Sequence, residues 1–151
     1  MEIKKILWPT DFSENANAAL SYIFSLTEKY GSEIYLLYVA EDLADYGRWY
    51  GELTPPHIEE VQKWEIPHAE KKMEEVCQKE LAGCPMFHKL VLVGDPAQKI
   101  LETIEKEGVD VVVMATRGRK GQFPFGSVTE KVVKNSPVPV WTVPPTEGKK
   151  R

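Results

Sequence analysis

The chain has 151 residues, enough for one domain with a substantial core, and its 42% apolar and 28% charged residues are those of a globular protein. Its 19 Lys and Arg against 23 Asp and Glu give a formal charge of −4, the wrong sign for a general nucleic-acid binder. No stretch nears the roughly 20 apolar residues that cross a bilayer, and the opening Met-Glu-Ile-Lys-Lys-Ile-Leu-Trp-Pro lacks the h-region and cleavage site of a signal peptide.

Short apolar runs alternate with helical periodicity. Ile3 to Trp8 reads as a strand ending at Pro9. From Ser13 to Tyr30 the spacing of Ala16, Ala19, Leu20, Ile23, Leu26 and Tyr30 predicts a helix with one apolar face, stopped by Gly31. Glu33 to Val39 is an almost continuous apolar strand. Residues 41–56, with Gly47, Gly51, Pro55 and Pro56 among Tyr46, Trp49 and Tyr50, read as a long connection able to serve as a lid. Ile58 to Leu81 is a charged helix with Ala69, Met73, Val76 and Cys77 inward, and Pro67 is expected to divide it or to begin its second half.

Met86 to Val93 is the third strand. Asp95-Pro96-Ala97-Gln98 then opens a helix with a capping carboxylate and a proline in the first turn, Ile100, Leu101 and Ile104 face inward, and Gly108 ends it. The run Val111-Val112-Val113-Met114 within Asp110 to Ala115 is typical of a strand covered on both faces. A short helix from Ser127 to Lys134 and a last strand from Val138 to Val143 follow. The order βαβαβαβαβ predicts a parallel sheet with helices on both faces, one domain over 1–145 and a frayed tail over 146–151. Cys77 and Cys84 form no disulfide framework or zinc site and are expected to be reduced thiols of a cytoplasmic protein.

Ligands of open parallel sheets sit beyond the carboxyl ends of the strands. Those ends are Pro9-Thr10-Asp11, Val39-Ala40, Gly94-Asp95 and the segment after Met114. The last is glycine-containing and carries Arg117, Arg119 and Lys120 before Gly126-Ser127, where a helix begins. Helix-terminal N–H groups and two hydroxyls could face a phosphate there; a connection with a Ser N-cap explains the local pattern equally well. Asp11 could accept from a ribose, or it or Ser13 could cap the following helix. There is no P-loop and no Gly-x-Gly-x-x-Gly fingerprint; His57, His68 and His88 lack metal-ligand spacing, and Ser127 has no visible base.

Several segments carry a resemblance in order along the chain: Leu7-Trp8-Pro9-Thr10-Asp11-Phe12-Ser13-Glu14, Gly94-Asp95-Pro96, Val112-Val113-Met114-Ala115-Thr116-Arg117-Gly118, Gly126-Ser127-Val128-Thr129-Glu130-Lys131-Val132, and Ser136-Pro137-Val138-Pro139-Val140. Together they resemble the universal stress proteins over essentially the whole length. The resemblance implies an adenine nucleotide alpha hydrolase-like α/β fold with an open five-stranded parallel sheet of order 3-2-1-4-5. It also implies a homodimer paired through the last strand, in which Pro137 and Pro139 cannot donate to a ladder.

The same resemblance implies ATP, ADP or AMP as ligand, with Mg²⁺ on the phosphates. By position, Pro9, Thr10 and Val39 would border adenine and Asp11 the ribose, while Gly118, Gly126, Ser127, Val128 and Thr129 would hold phosphates. The family motif is Gly, two residues, Gly, nine residues, then Gly-Ser or Gly-Thr. Here Ala115 stands at the first glycine, Arg117 where His is common, and seven residues separate Gly118 from Gly126. Arg117 offers a fork of donors to an anion, whereas two missing residues shorten the maximum reach by roughly 7 Å. The expected function is a nucleotide-binding stress or signalling module. The alternatives are a family dimer that acts through protein partners without nucleotide, and a slow ATP hydrolase or self-phosphorylating enzyme.

Overall fold

The computed structural model describes residues 2–40, 55–79, 86–116 and 126–145, without the side chains of 14, 15 and 55–62. Strands β1 (Lys5–Pro9), β2 (Glu33–Ala40), β3 (Phe87–Val93), β4 (Val111–Ala115) and β5 (Val140–Val143) form one sheet in the order β3-β2-β1-β4-β5. Every neighbouring pair is parallel. The helices are α1 (Glu14–Asn17), α2 (Leu20–Tyr30), α3 (Pro55–Lys79), α4 (Pro96–Glu107) and α5 (Ser127–Asn135).

Alternation along the central strands divides the core in two. Ile6, Trp8, Ile34, Leu36, Val111 and Val113 pack with Leu20, Ile23 and Leu26 of α2 and Met73 and Cys77 of α3. Leu7, Tyr35, Leu37, Val112 and Met114 point the other way, against Ala97, Ile100 and Ile104 of α4 and Val132 of α5. Helices thus cover both faces, which is why β4 is buried at all five positions and reads as an unbroken apolar run.

The termini follow local chemistry. Asp95 caps α4 by accepting from the Gln98 N–H at 3.0 Å, with Pro96 next in the first turn. Gly31 and Gly108, at φ 63° and 65°, close α2 and α4 in the left-handed conformation that glycine adopts freely.

Four expectations change. The helix expected over 13–30 is broken at Ala18 and Ala19, where the Ala19 N–H reaches back three residues to the Ala16 carbonyl and tightens the turn. Tyr30, at the final position of α2, is 54% exposed rather than on the inner face. The segment expected to form a connection as far as residue 56 is helical from Pro55. Pro67 neither divides α3 nor begins it, but sits inside one helix of 25 residues. Pro67 and Lys63 both lie on the exposed side, so water can satisfy the carbonyl that the missing N–H leaves unbonded. Residues 41–54 of the connection read over 41–56 as able to serve as a lid, Cys84 and the 146–151 tail lie outside the described residues.

Candidate functional site

The central feature is a gap in the ladder between β1 and β4. Their ladder has two register pairs, Ile6 with Val111 and Leu7 with Val112. Beyond them β1 keeps its pairing with β2 to Pro9, and β4 keeps its pairing with β5 to Ala115. Odd-numbered residues of β1 face β4, as the Lys5 carbonyl accepting from the Asp110 N–H shows. The next rung would need an N–H at position 9, and proline has none. Pro9 therefore ends the ladder, which leaves the tips of β1 and β4 without a further rung at the point where the sheet's winding reverses.

On the β1 side the backbone turns sharply. Thr10 is nearly buried; its N–H donates to the Leu37 carbonyl at 2.9 Å, and its Oγ1 accepts from the Phe12 N–H at 3.0 Å. Asp11 Oδ1 accepts from the Ser13 N–H at 2.9 Å, and Ser13 Oγ accepts from the Ala16 N–H at 3.1 Å. Ser13 is thus the cap of α1, and Asp11 shapes the turn before it. Phe12 sits at φ 63°, the one positive value among the described non-glycine residues. Sequence reasoning did not single it out, because an aromatic residue carries no signal for left-handed backbone. Val39 lies half-buried near the end of β2.

Opposite stands the start of α5. Gly126, at φ −71° and ψ 156°, occupies the N-cap, so Ser127 is the first helical residue rather than the cap. The first i to i+4 bond runs from the Glu130 N–H to the Gly126 carbonyl at 3.0 Å. The N–H groups of Ser127, Val128 and Thr129 precede it, and a glycine cap offers them no side-chain oxygen. With the helix dipole, they are donors suited to an anion from outside. Glu130 lies in the same turn, but Lys134 binds it at 2.7 Å and holds its carboxyl below the usual range, which offsets its charge.

The two hydroxyls differ. Ser127 is exposed, whereas the buried Thr129 donates its Oγ1 hydrogen to the Ala115 carbonyl at 3.0 Å, tying α5 to the tip of β4. Ala115 keeps a negative φ, so a methyl in place of the family's glycine introduces no backbone strain. Arg117 and Gly118 lie outside the described residues, but the ends of their loop do not. The Gly126 N–H donates to the Thr116 carbonyl at 2.7 Å, and the Thr116 N–H to the Val143 carbonyl at 2.9 Å. Thr116 and Gly126, the residues flanking 117–125, are thus joined directly by a hydrogen bond.

The fold thus brings Pro9, Thr10, Asp11, Ala115, Gly126, Ser127, Val128 and Thr129 to the carboxyl edge of the sheet around its switch point. A shallow recess of about 440 Å³ between α4 and α5, lined by Gln98, Leu101, Glu102 and Lys131 among others, runs along the helical layer. Among the described residues no three His, Cys, Asp or Glu side chains gather as a metal site.

Comparison with known proteins places this geometry in a lineage. A universal stress protein of Methanocaldococcus jannaschii, MJ0577, is 33% identical over 93% of this chain and 94% of its own. One from Thermus aquaticus is 33% identical over 93% and 98%. The solved structure of MJ0577 superposes with a TM-score of 0.82 at 32% identity, over 95% of this chain and 97% of that one. Two more distant structures, at 16% identity, share the fold: a universal stress protein in complex with cAMP (TM-score 0.64) and one from Arabidopsis thaliana with AMP bound (TM-score 0.61). They cover 95% and 98% of this chain and 98% and 95% of their own, respectively. The adenine nucleotide alpha hydrolase-like architecture, the strand order and a family model matching residues 2–144 agree: this chain belongs to the universal stress protein family.

Proposed function

We propose that this chain binds an adenine nucleotide in the gap between the tips of β1 and β4, and acts as a homodimeric stress or signalling module in the cytoplasm. The observation that carries the reading is the ladder ending at Pro9 beside an α5 whose first-turn N–H groups have no side-chain cap. On one side a flat base would lie beside Thr10 and Asp11; the other side offers donors for phosphate. The ligands of the two distant relatives, cAMP and AMP, have this chemistry. Base and ribose would meet Pro9, Thr10, Asp11 and Val39, and phosphates would meet Gly126, Ser127 and Val128, together with Arg117 and Gly118.

The Thr129 hydroxyl serves the Ala115 carbonyl, so Thr129 would contribute through its N–H. A Mg²⁺ accompanying ATP would be held chiefly by phosphate oxygens, as that cation commonly is. The unit is a single domain over 1–145.

A second reading is a family dimer that has given up nucleotide and works through protein partners. It draws on the seven residues, rather than nine, between Gly118 and Gly126. Denaturing the purified protein and chromatographing the supernatant separates the two. Released ATP, ADP or AMP supports the first. No released nucleotide, with no calorimetric signal at millimolar ATP and Mg²⁺, rejects it.

A further inference from the structure

The turn after β1 is held in a backbone conformation that its residue type disfavours. Phe12 lies at φ 63°, a region that bulky side chains rarely adopt. That conformation accompanies the bond from the Phe12 N–H to Thr10 Oγ1 and the Asp11 turn beside it. What holds it is the ring. Phe12 stacks on Tyr38 of β2 with centroids 5.0 Å apart and planes at 26°. Lys72 of α3 places its ammonium 5.7 Å from the ring centre, and Tyr38 donates its hydroxyl to Glu65 of α3 at 2.7 Å. Strained residues persist where surrounding contacts over-determine them, and they concentrate at ligand sites.

We propose that Phe12 is a positioning residue for nucleotide. Its ring, clamped between Tyr38 and Lys72, fixes the turn that presents Thr10 and Asp11 to the ligand. The inference rests on the nucleotide reading of those two residues, and it links the pocket rim to α3 through the Phe12 ring.

The test is AMP affinity by calorimetry, since AMP lacks the outer phosphates that would involve loop 117–125. Phe12→Gly removes the ring but adopts positive φ freely, so its affinity should stay within about threefold of wild type. Phe12→Ala removes the ring and keeps the backbone penalty, so it should bind about tenfold more weakly. Both lack the ring, so rescue by glycine separates positioning from lost packing. Tyr38→Leu should weaken AMP binding in the Phe12 background and leave it unchanged in the Phe12→Gly background, and this pair decides alone if Phe12→Ala does not fold. Equal affinities for the Gly and Ala variants, or a Tyr38→Leu effect of the same size in both backgrounds, would overturn the positioning role alone. A wild-type protein that binds no AMP at millimolar concentration would overturn the nucleotide reading and this inference with it.

Discussion

At the residue scale, Gly126 offers the sharpest handle on the phosphate side. Its φ of −71° lies where any residue is allowed, so a side chain there meets no backbone prohibition. Gly126→Val should keep the fold, at a cost of about 1 kcal/mol for a poorer N-cap. The new methyl groups would stand where a phosphate must approach the helix N-terminus. ATP affinity should fall more than about tenfold, a loss of roughly 1.4 kcal/mol, while adenosine binding stays unchanged. Equal losses for the two ligands, read by calorimetry, would place the phosphates elsewhere. Residues differ in how far sequence reveals them. Asp95, Pro96 and Gln98 declare a helix start because the capping carboxylate, the proline and the residue whose N–H is capped lie within four positions of one another. Thr129 gave no hint of bonding to Ala115, fourteen residues back, because that contact depends on how α5 docks. Phe12 was illegible for a related reason, since its partners come from β2 and α3.

At the scale of elements, α3 shows where local rules give way to packing. A proline within a helix removes one hydrogen bond and crowds the preceding turn, which is why a break at Pro67 was the expected outcome. Ala69, Met73 and Cys77 anchor the following turns to the core, and continuity wins. Pro67→Ala should restore the N–H to the Lys63 carbonyl. Against this, the freed backbone gains entropy in the unfolded chain. The net expectation is a gain of about 1–2 kcal/mol in urea unfolding, within the roughly 3 kcal/mol cost of an interior proline; no gain would show the helix already bent around it.

The same helix meets β3 through Glu74 and Lys89. The Lys89 hydrogen bond lowers the Glu74 carboxyl below its ordinary 4.5, and Glu74 raises the Lys89 ammonium above 10.5. The pair's stabilisation should therefore be complete between those ordinary values. It fades as pH falls through the depressed value of Glu74, and again as pH rises through the elevated value of Lys89. Both groups are exposed, so the effect should be small and weakened by salt. The unfolding midpoints of wild type and Glu74→Gln should differ at pH 7 and converge in acid. A gap that persists in acid would assign the difference to something other than charge.

For the whole molecule, alternation of strands and helices was enough to predict a parallel sheet covered on both faces, because βαβ units leave few other options. The order 3-2-1-4-5 came from the family resemblance, and the gap at Pro9 needed the register of three strands. Register also changes the view of the β5 edge. The Pro139 carbonyl accepts from the Val112 N–H, so Pro139 faces β4, and by alternation Val140 and Thr142 point outward. The missing proline donor is thus on the side already paired within the sheet. Two N–H groups remain for a second chain, with Trp141 43% exposed on β5 and Val133 45% exposed on α5. If the proposed homodimer forms through this edge, Thr142→Pro should remove an outward donor while sparing the inward rungs at Trp141 and Val143. Such a variant should sediment as a 17.2 kDa monomer with its helical circular dichroism intact. Trp141→Pro, which removes an inward rung, should instead lower the unfolding midpoint. A Thr142→Pro protein that remains dimeric would move the interface away from β5 and leave that strand a true edge, kept short at four residues against unwanted pairing.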